Sequence, residues 1–375
     1  MSKDIAALPE TIALNSLKAF INNPPASNTH SKSTSSTIPK AESRQLLQSI
    51  LTTFNLHIQS RISSLCGEGY YTIGPCGEEN LAAIALAFKG DRDSVALHYR
   101  HLGVSILRNY QDRLAGESSN LETLKSVIFD RARGYTVSSL DPVSGGNHCT
   151  LGGCELDYVV TSTLASQCSP AVGRAMGTSI AHHLAKKSNT KSSLPFKKDS
   201  VHFVSLGDGS TTNGHFLSAI NLARYAKHRT FKCPVVFGIS DNQICISLRN
   251  YGFLTEYLKS TGLHLFTCTD GTDVNQVYRA TKEATDYSRK TQKPSVVIYS
   301  NLTRRFGHAA TDRQNAYLST EEINDAKNED NVERAIMDLV GGGGVTWEEV
   351  KTDMEEIEKF CIDGFDSAAM EKKIR

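Results

Sequence analysis

Two apolar runs in this chain break off in the same manner, and that shared ending limits the folds open to it. Val201–Leu206 (VHFVSL) runs into Gly207-Asp208-Gly209, and Pro234–Ser240 (PVVFGIS) runs into Asp241-Asn242. Each run is short, rich in β-branched and aromatic residues, and closed by turn formers, which predicts a strand buried on both faces. Leu263–Cys268 (LHLFTC) and Pro294–Ser300 (PSVVIYS) read the same way, with helical stretches between them. Strands alternating with helices predict an α/β fold, a doubly wound, mainly parallel sheet flanked by helices. In such a sheet the C-terminal ends of adjacent strands open into one crevice, where ligands bind.

The flanks differ from this pattern. Ile12, Leu14, Leu17, Phe20 and Ile21 predict a short amphipathic helix within residues 1–21. Residues 22–42 are rich in Ser, Thr, Pro and Asn and nearly empty of large apolar groups, which predicts a disordered linker. The α/β domain is expected over 43–330, opening on a helix through Leu46, Leu47, Ile50, Leu51, Phe54 and Ile58. Ser319-x-x-Glu322 and Thr346-x-x-Glu349 read as capping boxes on either side of the Gly341–Gly344 break, and 331–375 is expected as a helical tail.

Composition excludes several function classes. Lys+Arg total 41 against 40 Asp+Glu, a net charge of +1 without like-charge blocks, so nothing draws the chain to nucleic acid. No apolar run approaches the ~18 residues of a membrane span, which predicts a soluble protein. Nine scattered cysteines without a CxxC pair predict reduced thiols inside a cell, Cys149 and Cys154 included. The first residues show no apolar signal core, and Asp4 and Glu10 do not suit an Arg-rich transit peptide.

The chemistry concentrates in Val201–Ser247. Asp208 and Asn242, each just past a strand, offer two hard oxygen ligands, and Ile244 a third through its backbone carbonyl. That set suits Mg²⁺, which takes few protein oxygens beside those of a phosphate. Gly209 lets the backbone approach a phosphate closely, and the amides of a helix opening at Ser210 favour an anion. Taken singly, Asp-Gly is a common turn and Asp-Asn a common cap. Placed together between two buried strands, they point to a diphosphate held through a divalent ion. No Lys follows the Gly-rich turn and no G-x-G-x-x-G is present, which excludes a P-loop and the dinucleotide fingerprint.

GDG followed about thirty residues later by Asn resembles the thiamine diphosphate motif. The surrounding blocks GYYTIGPCGEENLAAIALAF, ALHYRHLGV, GGNHCTLGG, TSTLASQCSPAVGRAMG, LGDGSTTNGHFLSAINLA, ISDNQICIS, DGTDVNQVYRATKEA and RRFGHAATD run co-linearly from about residue 44 to residue 365. They resemble the α subunit of the decarboxylating component of pyruvate and branched-chain 2-oxo acid dehydrogenase complexes. The resemblance implies thiamine diphosphate and Mg²⁺ as cofactors, with Asp208, Asn242 and the Ile244 carbonyl on the metal. Tyr99 and Arg100 match the pair that holds the diphosphate, and a guanidinium fork suits that task. Ser162 and Leu164 match positions lining the cofactor, while Thr161, Ser166 and Gln167 resemble a loop that binds a monovalent cation such as K⁺ in some members. His308 falls in the family's active-site loop, and His148, after Gly145-Gly146-Asn147, is a second candidate to face substrate.

The implied reaction is oxidative decarboxylation of a 2-oxo acid with acyl transfer to a lipoyl-bearing acyltransferase core. The ALHYRHLGV block tilts the choice toward branched-chain substrates over pyruvate. The residue that activates the cofactor comes from a β-type subunit in this family, and no equivalent is found here, so turnover is expected only with that partner. The compartment implied is the mitochondrial matrix in a eukaryote and the cytoplasm in a bacterium. Two departures stand out. Ala309 and Ala310 replace a second His and a phosphorylatable Ser, which removes phosphorylation control at that position. A basic insert, Lys227–Lys232, lengthens the interval between the two metal-ligand positions and is expected as a surface loop. Other readings are a different thiamine enzyme, a fragment of a fused α–β chain, or an inactive paralogue acting as an assembly or regulatory partner.

Overall fold

The computed structural model describes residues 5–25, 37–188 and 194–374. The four expected strands form as β2 (His202–Gly207), β3 (Val235–Ser240), β6 (His264–Cys268) and β7 (Ser295–Tyr299). A fifth, β1 (Ser94–Ala96), joins them in one parallel sheet ordered β1-β2-β3-β7-β6. Two-residue strands β4 (Ile244–Cys245) and β5 (Leu248–Arg249) form a small separate hairpin. β1 escapes the sequence reading because three residues carry no measurable periodicity.

Alternation along the strands explains why the sheet is covered twice. Phe203, Val236, Val297 and Tyr299 project into one apolar core, while Val204, Phe237, Val296 and Ile298 project into another. The second core is filled by α5 (Cys168–Lys187), α6 (Gly214–His228) and α7 (Phe253–Ser260). The first is filled by α1 (Pro9–Asn22), α2 (Lys40–Cys66), α3 (Leu102–Leu114), α4 (Leu121–Tyr135), α8 (Val274–Thr291), α10 (Asn331–Gly341) and α11 (Trp347–Met370). Successive residues of a strand face opposite ways, so a mostly apolar run calls for helices on both faces of the sheet. The remaining helix, α9 (Thr320–Lys327), starts at the Ser319–Glu322 capping box, and α11 starts at the Thr346–Glu349 box.

Three boundaries differ from the sequence expectation. Asn22 ends α1 and Lys40–Glu42 already belong to α2, so both ends of the expected 22–42 linker are structured. Between them, Ile38 is buried and the Thr37 amide donates to Asn275 Oδ1 at 2.9 Å, while 26–36 lie outside the described residues. Residues 331–375 are not an appended tail: Ile357, Phe360 and Phe365 of α11 share the core of α2 and α4, and Arg44 of α2 forks onto Asp353 at 2.9 and 3.0 Å. A capping box marks where a helix starts but says nothing about what its apolar stripe covers. In the basic insert, Lys227 and His228 form the last turn of α6, so only Arg229–Lys232 loop outward. All nine cysteines are free, and no described helix is long and apolar enough to cross a membrane.

Candidate cofactor site

The site follows from strand register. β2 and β3 are parallel with Gly207 opposite Ser240, so the next residues, Asp208 and Asp241, leave the sheet side by side. Their tips open on a cavity of about 200 Å³. Its walls hold Asp208, Gly209, Ser210, Asn242 and Ile244 from these tips, Tyr99 and Arg100 from the turn after β1, Ser162 and Leu164 from the loop before α5, and His308. Residues as far apart in the chain as Tyr99 and His308 are thus brought together at the strand tips.

The turn after β2 differs from expectation in one respect. Asp208–Thr212 forms a 3₁₀ turn, and α6 begins only at Gly214 with Asn213 as its cap. The amides beside the cavity therefore belong to the tight turn. Gly209 is required there because a Cβ would sit 2.1 Å from Cys245 Sγ and 2.2 Å from its Cβ. Asn250 Nδ2 bridges the two carboxylates, 2.7 Å from Asp208 Oδ2 and 2.9 Å from Asp241 Oδ1. Burial raises the Asp208 carboxyl above its ordinary pKa, and the Asn250 bond opposes that rise. Asn242 Oδ1 accepts from the Ile244 amide at 3.1 Å, an Asx turn that fixes the loop. The same loop stores strain: Gln243, Ile246 and Tyr251 all have positive φ, and for β-branched Ile246 at +53° this costs about 1–3 kcal/mol. Arg304 Nη1 donates to the Ile246 carbonyl at 2.8 Å and holds that turn.

A basic wall closes the opposite side. Arg100 donates through Nη1 to the Gly74 carbonyl and through Nη2 to His308 Nδ1, the latter at 2.9 Å. The His308 amide donates to Asp312 Oδ2 at 2.7 Å, and Tyr317 Oη donates to the same oxygen at 2.5 Å. Because a guanidinium can only donate, the proton of His308 lies on Nε2. Burial, with Arg100 and Arg304 nearby, lowers the His308 pKa to about 4. An NMR titration, with His308→Gln for assignment, should give a midpoint near 4. A midpoint at or above 6 would contradict the Arg100 contact.

Comparison with known families bears directly on this cavity. The family model described as "Dehydrogenase E1 component" matches residues 68–375, which includes every cavity residue. The chain belongs to this family. Relatives of the E1 chain include "2-oxoisovalerate dehydrogenase subunit alpha, mitochondrial" of Caenorhabditis elegans, 26% identical over 347 residues, covering 89% of this chain and 72% of that one. The Mus musculus protein of the same description is 26% identical over 311 residues, 80% of this chain and 60% of its own length. "Pyruvate dehydrogenase E1 component subunit alpha" of Acholeplasma laidlawii is 32% identical over 167 residues, 43% and 46% respectively. The E1 chain thus spans only part of the length of these relatives.

Four sequence candidates lie off the cavity wall of the E1 chain. His148 Nε2 is 3.1 Å from Ser162 Oγ, so it touches a wall residue without lining the cavity. Thr161 and Ser166 bond locally with Thr163. Gln167 Nε2 donates to the Ser205 carbonyl at 2.7 Å, while its buried Oε1 has no hydrogen-bond partner among the described residues. Conversely, Glu78, His98 and Arg304 line the cavity and Asn250 braces it, yet the sequence reading passed over all four. Glu78, His98 and Arg304 lie in the blocks GYYTIGPCGEENLAAIALAF, ALHYRHLGV and RRFGHAATD that carry the resemblance. Asn250 gave no signal, since an Asn in a polar loop is ordinary.

Proposed function

We propose that this E1 chain is an α-type subunit that holds thiamine diphosphate through Mg²⁺ for oxidative decarboxylation of a 2-oxo acid, branched-chain in preference to pyruvate. The observation carrying the proposal is the convergence of Asp208, Asn242 and the Ile244 backbone on the same cavity as Tyr99 and Arg100. An anionic oxygen set faces a cationic clamp across one small space, which is what a metal diphosphate requires. The residues fit the group in size as well. About 200 Å³ is below the roughly 300–1,000 Å³ of complete small-molecule sites, so it takes the ion and diphosphate and leaves the rest to be enclosed by another chain.

The chain's own share of the reaction is binding, orientation and proton placement. Asp208, Asn242 and the Ile244 carbonyl hold the ion, with Asn250 fixing the Asp208 carboxylate. Arg100 and Tyr99 hold the phosphate oxygens, and Gly209 and Ser210 bring backbone against them. His308, neutral at physiological pH, presents its Nε2 proton to an oxygen in the cavity, and His148 positions Ser162. When bound, thiamine diphosphate supplies the electron sink for loss of CO₂. The unpartnered Gln167 Oε1 supports a K⁺ site with Thr161 and Ser166. Leu164, Ile246, Leu248 and Tyr251 are exposed around the cavity, Tyr251 by 87%, and this apolar rim supports docking of a β-type subunit. Acyl transfer then goes to a lipoyl-bearing acyltransferase core. The compartment follows the source, mitochondrial matrix in a eukaryote and cytoplasm in a bacterium.

The test is to measure Mg²⁺-dependent thiamine diphosphate binding, and CO₂ release from 2-oxoisovalerate and pyruvate, with and without a β-type subunit. Turnover only in the mixture, faster with 2-oxoisovalerate, is expected. Turnover by this chain alone overturns the proposal. Binding without turnover in the mixture favours an inactive paralogue, the reading that Ala309 and Ala310 suggest. A second measurement addresses Asn250. Asn250→Ala should weaken Mg²⁺-dependent cofactor binding by about 10–100-fold, the usual effect of losing an outer-shell partner. Tighter binding would show instead that Asn250 competes with the ion.

A further inference from the structure

We propose that Glu78, His98 and His101 form a second metal site, for a borderline ion of the zinc class, at the wall of the cofactor cavity beside Tyr99 and Arg100. The three side chains come from two segments, the turn before a 3₁₀ helix at Glu79–Ala87 and the connection from β1 to α3. They are 4%, 6% and 1% exposed, so none can satisfy itself in bulk water. One ligating atom of each lies within 4.8 Å of those of the other two.

The spacing separates coordination from hydrogen bonding. Glu78 Oε2 is 3.6 Å from His101 Nε2, beyond a good hydrogen bond. Two ligands of a tetrahedral ion, each bonded at about 2.0–2.1 Å, stand roughly 3.4 Å apart. Glu78 Oε2, His98 Nδ1 and both ring nitrogens of His101 have no hydrogen-bond partner among the described residues. Buried polar atoms are nearly always satisfied, so Glu78 Oε2 and His101 Nε2, 3.6 Å apart and hydrogen-bonded to no described residue, imply a group between them, and an ion there takes one nitrogen from each ring. Two imidazoles and a carboxylate are a zinc ligand set, leaving a fourth position for water or an anion. Imidazole nitrogen selects such an ion over Mg²⁺, which keeps this site chemically distinct from Asp208 and Asn242.

The placement gives the ion a task. His98 and His101 flank Tyr99 and Arg100, and the His98 amide is already pinned to Ser205 Oγ at 2.8 Å. An ion shared with Glu78 fixes both ends of the segment that carries the clamp.

The inference does not rest on the proposed reaction, and its test needs no turnover. The full chain, stripped with chelator and kept in excess Mg²⁺, is titrated with Co²⁺ and its visible spectrum recorded. The d–d bands of a four-coordinate ion should saturate at one equivalent and disappear on adding Zn²⁺. Sulfur-to-cobalt charge transfer should be absent. Glu78→Gln and His101→Gln should abolish the bands, whereas Asp208→Ala should leave them intact. No bands in the wild-type chain would mean a bridging water only and would overturn the site. Charge transfer from sulfur, or bands lost in Asp208→Ala, would place the ion elsewhere and overturn it equally. If neither ligand variant folds, the wild-type and Asp208→Ala spectra decide the matter alone.

Discussion

Asp208→Ala should weaken Mg²⁺-dependent thiamine diphosphate binding by more than about 100-fold while leaving the circular dichroism spectrum unchanged. The magnitude follows because outer-shell partners of a metal already cost about 10–100-fold, and Asp208 is the one carboxylate among the proposed ligands. Asp241, the carboxylate nearest in the sheet, cannot take over. Asp241 leaves the adjacent strand beside it but does not line the cavity, and its Oδ1 already accepts from Asn250 and from the Gln243 amide at 3.0 Å. Structure should survive because Asp208 sits in a 3₁₀ turn beyond the last paired residue of β2. Its removal also spares the fold the burial of a carboxylate whose pKa is raised. Calorimetric titration at fixed Mg²⁺ is the measurement. Wild-type affinity in the variant would remove the basis for the site, since Asn242 and a carbonyl without the carboxylate would then suffice.

Why that site could be read from sequence, and much around it could not, has a physical cause. β2 and β3 advertise themselves as short apolar runs, and residues just past two such runs must emerge at one edge of a parallel sheet. Asp208 and Asn242 were therefore legible from local pattern plus one rule of topology. Glu78 and Arg304 reach the same cavity, and Asn250 braces it, through loops whose paths no periodicity encodes. Asn250 acts through a bond to a side chain 42 positions away. The loop after β3 misleads further, because Gln243, Ile246 and Tyr251 have positive φ there and only Gly252 among its positive-φ residues is a glycine. Turn chemistry alone would not place left-handed backbone there. The same holds for the second core. That α5 to α7 cover one face and α11 the other is decided by which apolar stripes meet, a pairing that a helix does not carry in its own sequence.

Asp93→Ala is the substitution expected to cost the fold most, about 3–5 kcal/mol, with Tm lowered by roughly 4–6 °C. Asp93 precedes β1 and is fully buried. Its Oδ1 accepts from the Val201 amide at 2.9 Å and from Arg289 Nη1 at 3.0 Å. Its Oδ2 accepts from Arg289 Nη2 at 2.8 Å and from the Lys89 amide at 3.0 Å. One carboxylate thereby ties the entry of β1 to the entry of β2 and to the end of α8. Alanine leaves two backbone donors orphaned and the guanidinium without its fork, each a separate penalty. Arg289→Ala should cost less, because Arg289 is partly exposed and the two amides keep their acceptor. Asp93→Asn should fall between the two. Urea unfolding of the three variants checks the order, and a loss under 1 kcal/mol for Asp93→Ala would show that solvent replaces the missing bonds. The pairing with Asp208 makes the comparison discriminating. Asp93 supports the strand that leads to Tyr99 and Arg100 without touching the cavity, so its variant should lose stability yet, while folded, bind cofactor normally. Asp208→Ala should do the reverse.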